Sequence, residues 1–215
     1  MSAARKAARP GRFIVLEGLD GAGTTTQTER LAAALRADGH AVMTTREPSD
    51  GPVGTQLRQA LTGRLGLPHG RGPLAPETLA LLFAADRTDH LHARVLPALE
   101  EGKVVLCDRY VLSSLAYQGA SLPMAWVDTV NAHAVSPDLT LFIEMDPKVA
   151  ARRRASRGGP SGQAEVQRQV AKQYLKAITL RSKRERIVLI SGELTLPDIT
   201  DACLKEARRM LARLK

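Results

Sequence analysis

Aromatic side chains are scarce in this chain: three phenylalanines, three tyrosines and one tryptophan make up 3% of its 215 residues. Proteins that bind single-stranded nucleic acid stack bases on rows of aromatic rings, so a formal charge of +9 points to small anions and not to a nucleic acid polymer. The charge is also clustered. Arg5, Lys6, Arg9 and Arg12 lie near the N-terminus, Arg152, Arg153, Arg154 and Arg157 form a second group, and Arg181, Lys183, Arg184 and Arg186 a third. Cysteine is nearly missing too. Cys107 falls in an apolar strand segment and Cys203 in a helical one, which argues against a disulfide framework or a cysteine metal site and suits buried thiols in a reducing cytosol. No apolar run approaches the roughly 20 residues that cross a bilayer, so no membrane partner is expected. The leading MSAARKAARPG lacks the apolar core of a secretory signal. Residues 1–11 are expected to form a disordered basic tail on one cytoplasmic domain spanning 12–215.

What the chain does have is a glycine-dense segment between two regular patterns, FIVLEGLDGAGTTTQ over Phe13 to Gln27. Phe13 to Leu16 is a short apolar run of strand formers. From Thr24 the spacing turns helical, with Leu31 and Leu35 four apart. Glycines let backbone N–H groups curl around an anion, and the helix behind them adds unpaired N–H groups and a positive dipole end. Gly18 and Gly23 have the separation of a G-x-x-x-x-G-K-[ST] phosphate loop, and Thr25 stands at the hydroxyl position that holds magnesium. The loop lysine, however, is missing: Thr24 takes its place.

Further strands are predicted at Ala41–Thr45, Val104–Cys107, Leu139–Ile143 and Ile187–Ile190. Helices are predicted at Gly54–Leu61, Pro76–His92, Val95–Glu101, Ser113–Gln118, up to Ala134, up to about Leu180, and along a final stripe of Ile199, Cys203, Ala207, Met210 and Leu214. Gly63 to Pro76 reads as a surface loop. Strands separated by helices imply a parallel sheet with right-handed crossovers. The expected architecture is a three-layer α/β P-loop fold, with a five-stranded parallel sheet flanked by helices.

Two constellations lie outside the loop. Phe83 and Arg87, four apart on a helix, share a face; such a pair can stack a flat base and hydrogen-bond its carbonyl edge, or serve only as core and ion pair. Asp108-Arg109 ends a strand on the rim where parallel sheets bind ligands, a place for phosphate or magnesium contact.

With GLDGAG (Gly18–Gly23), TREP (Thr45–Pro48), LFAADR (Leu82–Arg87), DRY (Asp108–Tyr110) and SSLAYQG (Ser113–Gly119) in this order, the chain resembles the thymidylate kinases from about Arg12 onward. That resemblance implies transfer of the γ-phosphoryl group of ATP to dTMP, giving dTDP, with magnesium, in a homodimer. It implies dTMP contacts from Glu47, Pro48, Arg58, Phe83, Arg87, Arg109, Ser113, Ser114, Tyr117 and Gln118, with Phe83 on thymine and Tyr117 near the sugar, where its bulk disfavours a ribose 2′-hydroxyl. ATP would be held by Gly18, Gly21, Ala22, Gly23, Thr24, Thr25, Thr26 and Arg152, the metal by Thr25, Asp20 and Asp108. Catalytic charge would come from Asp20, Arg109, Arg153 and Arg157, the last two on a small arginine-rich lid over about 150–165. Ala22 in the loop fits the bacterial type, whose lid contributes arginines to the site.

Two departures stand against this match. Thr24 replaces the lysine, and the acidic-basic pattern that follows the lid is not recognisable in Ser161–Gln169. Removing one preorganised charge costs about 3 to 4 kcal/mol, roughly 10²- to 10³-fold in rate, unless lid arginines supply it. The alternative is a catalytically impaired nucleotide-binding paralogue with a regulatory role.

Overall fold

The computed structural model describes residues 11–67, 72–156 and 164–212. Arg157, Leu214 and residues 1–10 of the expected tail lie outside these ranges. Gly11 belongs to the fold, its N–H bonded to Leu99 O at 2.9 Å.

The strands are β1 (Arg12–Gly18), β2 (Val42–Arg46), β3 (Val104–Asp108), β4 (Leu139–Glu144) and β5 (Ile187–Ser191). All pair in parallel, in the order β2-β3-β1-β4-β5. Described helices are α1 (Thr24–Ala37), α2 (Pro52–Leu61), α3 (Pro76–His90), α4 (Leu96–Glu100), α5 (Val111–Tyr117), α6 (Met124–Val130), α7 (Pro147–Ala155), α8 (Ala164–Arg181) and α9 (Leu196–Ala212).

Both sheet faces are covered, which is why β1 reads as a continuous apolar run. Phe13 and Val15 point to one core, built with Leu91, Leu99, Leu115, Val127 and Tyr174 from α3 through α8. Ile14 and Leu16 point to the other, with Leu31 and Leu35 of α1 and Ile199, Cys203 and Met210 of α9. The chain leaves β1 toward the β2 edge and crosses to β4 only later, so the ends of β3, β1 and β4 bound a crevice at the switch point.

Boundaries differ from expectation where distant or local chemistry intervenes. α2 starts at Pro52, ahead of Gly54, because proline suits the first turn of a helix. α5 starts at Val111 instead of Ser113, since Glu17 Oε1 accepts from the N–H groups of Tyr110 (2.8 Å) and Ser113 (3.0 Å) and caps the helix from another strand. The helix expected to reach Ala134 ends at Val130. Between α3 and α4 the helix continues through a wider turn, Leu91–Val95, just before Pro97. Proline cannot donate to the previous turn, and the local widening accommodates it.

Candidate active site

The loop after β1 needs its glycines. A Cβ on Gly18 would meet Ile143 O at 2.9 Å, and one on Gly21 would meet Ala150 O at 2.4 Å; Gly21 also has φ +93°, unfavourable for other residues. Helix α7 therefore rests directly on the phosphate loop. Gly23, at φ +92°, has nothing within 4 Å of an added Cβ: the loop is open there. Gly21, Ala22, Gly23, Thr26, Gln27 and Arg153 line a cavity of about 340 Å³ whose far wall is Leu194, Leu196 and Ile199, a polar floor and an apolar wall suited to a nucleotide. Arg152 is exposed.

Behind the loop, Thr25 Oγ1 donates to Asp108 Oδ2. Asp108 is buried, and its Oδ1 has no hydrogen-bond partner among the described residues. A buried carboxylate oxygen costs free energy unless something binds it. One hydroxyl and one carboxylate beside a polyphosphate is the donor set magnesium takes, the rest being phosphate and water. The residues fit that ion. Asp20 sits apart from this pair: its Oδ1 accepts from Arg109 Nη2 and its Oδ2 from Arg154 Nη1, each at 2.8 Å. Thr24 is buried at the head of α1 and brings no charge.

A second cluster is built around Arg109, a non-glycine residue at φ 70°. That strained backbone turns its side chain back over β1, where Nη1 donates to Gly18 O at 3.1 Å and Ser113 Oγ at 3.2 Å, with the Tyr117 ring 5.5 Å from the guanidinium carbon. Under it lies Glu17, fully buried. Its carboxylate accepts from Ser113 Oγ at 2.6 Å and Tyr174 Oη at 3.1 Å besides the α5 N–H groups. Burial raises the Glu17 pKa; the Ser113 hydroxyl bond and the Arg109 charge only partly oppose this. Burial also pushes the Tyr117 phenol up to about 12, so it stays neutral at ordinary pH; its Oη accepts the Asp20 N–H at 3.2 Å.

Arg87, on α3, is 2% exposed. Its Nε and Nη2 lie 2.8 and 2.6 Å from Glu47 Oε2, Nη1 donates to Asn131 Oδ1, Nη2 to Ser114 Oγ at 3.2 Å, and Tyr110 stacks with its centroid 5.0 Å away. Three guanidinium N–H groups are hydrogen-bonded, one each from Nε, Nη1 and Nη2, and Nη2 is also ion-paired with Glu47. Burial is the largest single influence and works against the charge, but Glu47, Tyr110 and Glu17 together outweigh it, and the net shift is upward. Phe83, half-buried one turn earlier, shares the α3 face. Gln118 Oε1 is buried without a partner among the described residues. Arg58 holds the turn after β2, donating to Pro48 O at 3.2 Å and to Ser49 O.

A model of the thymidylate kinase family matches residues 16–201. The chain belongs to the thymidylate kinase family. The probable thymidylate kinase of Pyrococcus abyssi is 42% identical over 182 residues, covering 83% of this chain and 87% of the relative. That of Thermococcus gammatolerans is 39% identical over 195 residues (88% and 92%), and the thymidylate kinase of Deinococcus radiodurans 44% over 155 (70% and 72%). The five-stranded parallel sheet is the P-loop kinase architecture expected of this family.

In this thymidylate kinase family member the structure brings Arg109, Asp20, Ser113 and Tyr117 together in one cluster, and Glu47, Arg87 and Ser114 in another. It pairs Thr25 with Asp108 but gives Asp20 to two arginines. Sequence reasoning passed over five residues: Glu17, His90, Asn131, Arg154 and Tyr174. Arg154 was hidden inside a run of arginines whose facing only α7 reveals. For Tyr174 there was a signal. The chain has three tyrosines, and all three touch the site arginines: Tyr110 under Arg87, Tyr117 under Arg109, and Tyr174 Oη 3.4 Å from Arg109 Nη1.

Proposed function

We propose that the chain transfers the γ-phosphoryl group of ATP to dTMP, with magnesium, giving dTDP and ADP. The observation that carries this is Asp20 holding Arg109 and Arg154 side by side at the mouth of the loop. Arg109 belongs to the acceptor crevice and Arg154 to the helix resting on the donor loop, so two guanidinium groups flank the place where both phosphates must meet. An oxygen of the dTMP phosphate attacks the γ-phosphorus as the bond to the β-bridging oxygen breaks. Catalysis of such a transfer rests on position and charge neutralisation, not on covalent chemistry. Thr25 and Asp108 would hold magnesium, which supplies charge to the β- and γ-oxygens when bound. Phe83 and Arg87 take thymine, Tyr117 lies against the sugar, and Arg109 holds the acceptor phosphate.

Arg154 stands in for the missing loop lysine in this reading. It is delivered by a helix packed on Gly21, ahead of any lid closure. The impaired-paralogue alternative is not favoured, because donor-side charge is present and the relatives are named as kinases. We also read the protein as a cytoplasmic homodimer; buried thiols at Cys107 and Cys203, with the latter's pKa pushed by burial to about 12, suit a reducing compartment.

The test is dTDP formation from ATP and dTMP by the purified chain, with dUMP, dCMP and UMP as competing acceptors. Turnover that prefers dTMP and stops when EDTA removes magnesium is expected, while dTMP binding persists. A chain that binds dTMP and ATP but forms no dTDP at any magnesium concentration contradicts the reading.

A further inference from the structure

Phosphoryl transfer leaves one buried histidine without a task. His90, the last residue of α3, is 2% exposed. Its Nε2 lies 2.6 Å from Thr45 Oγ1 and its Nδ1 3.2 Å from Glu47 Oε1. The other oxygen of that carboxylate takes Arg87. A carboxylate only accepts, so Nδ1 carries the proton, and in the neutral ring Nε2 accepts from the Thr45 hydroxyl. Thr45, His90, Glu47 and Arg87 thus form one hydrogen-bonded line. Its outer end, Thr45 and His90, faces a cavity of about 410 Å³ that also borders Thr25 and Asp108.

We propose that His90 is a positioning residue for base selectivity. Resting on the assignment of Arg87 to the base, the argument concerns what keeps that guanidinium in one orientation. The terminal torsion of a glutamate is broad and two-fold. With Oε2 committed to Arg87, the hydrogen bond on Oε1 fixes the plane of the carboxylate, and the carboxylate fixes the guanidinium fork. Asn131, Ser114 and the Tyr110 ring then hold the rest of the group. Thymine presents an O4 acceptor where cytosine presents an N4 donor. A guanidinium N–H aimed at that position attracts the first and opposes the second. If the fork tilts, affinity for dTMP falls and the discrimination against dCMP narrows, whereas ATP, bound on the other side of Asp20, is untouched.

The experiment is equilibrium binding of dTMP, dCMP and ATP to the full chain and to His90→Gln, His90→Asn and Arg87→Lys, with a melting temperature for each. An asparagine amide lies near the Nδ1 position and keeps the Glu47 bond; a glutamine amide reaches toward Nε2, keeps Thr45 and leaves Oε1 unpartnered. His90→Gln is expected to weaken dTMP about tenfold, the scale of one lost hydrogen bond to a charged group, and to narrow the dTMP/dCMP ratio with ATP affinity unchanged. His90→Asn is expected to stay within about threefold of the parent on the same reasoning. Two results overturn the proposal: His90→Gln keeping the parent ratio while Arg87→Lys loses it, or both His90 variants losing affinity for all three ligands in step with melting temperature. Unchanged dTMP binding by Arg87→Lys would instead remove the base assignment itself, and the proposal with it.

Discussion

A lysine in a phosphate loop and an arginine reaching in from a helix differ in what holds the charge in place. The lysine is positioned by its own loop; Arg154 depends on Asp20, which it shares with Arg109. Both partners are partly exposed, so the pair itself adds little stability; in the proposed function it serves to place charge. Glu17 carries a different prediction. Burial raises its pKa above the ordinary 4.5, so the native state holds its proton to higher pH than the unfolded chain does. Below 4.5 both states are protonated and nothing is lost; as pH rises through the native value, the unfolded state is favoured and stability declines. Glu17→Gln keeps an acceptor for the α5 N–H groups and removes the titration. Thermal melts from pH 4.5 upward should show the parent losing stability relative to the variant; parallel curves would contradict this. At this scale the sequence made motif residues legible, because spacing defines them. Glu17 looked like the end of a strand, and nothing local reveals that its oxygens cap a helix 93 residues away.

Helix α7 is the element packed directly on the phosphate loop. Its carbonyl at Ala150 occupies the space a side chain on Gly21 would need, 2.4 Å from an added Cβ. Gly21→Ala combines that clash with a positive φ, a backbone cost alone of about 1 to 2 kcal/mol. The expected result is α7 displaced from the loop, with ATP KM raised and kcat lowered about tenfold or more by loss of Arg154 placement, and dTMP binding retained. Parent-like ATP kinetics in this variant would show that α7 contact is incidental. Strands were readable as apolar runs, and α1 and α9 as amphipathic stripes. Helix starts were less so: α5 is set by Glu17, and the widened turn at Leu91–Val95 is a response to Pro97 within an otherwise helical pattern.

Across the whole molecule, the parallel strands put the loop, the Asp108-Arg109 turn and α7 at one rim, and this much follows from alternating strands and helices, whereas the order β2-β3-β1-β4-β5 does not. Which arginine meets which carboxylate does not follow, because it depends on crossovers that bring residues 20, 109 and 154 together. Leu61 and Leu67 at the end of α2 and beyond, and Leu81 on α3, are 56%, 43% and 51% exposed, and α2 packs on α3. For the proposed homodimer, this helix pair is one exposed apolar surface. Leu81→Asp is expected to convert a dimer to a monomer in sedimentation analysis, and an unchanged mass would place the interface elsewhere. The central claim is that Arg154 does the work of the absent lysine. Its most direct test is magnesium-dependent dTDP formation by the parent, Thr24→Lys, Arg154→Gln and the double variant. The account predicts an active parent little changed by Thr24→Lys, a kcat loss of roughly 10²- to 10³-fold in Arg154→Gln, and substantial recovery in the double variant. An Arg154→Gln protein as fast as the parent, or a double variant with no recovery, would contradict it.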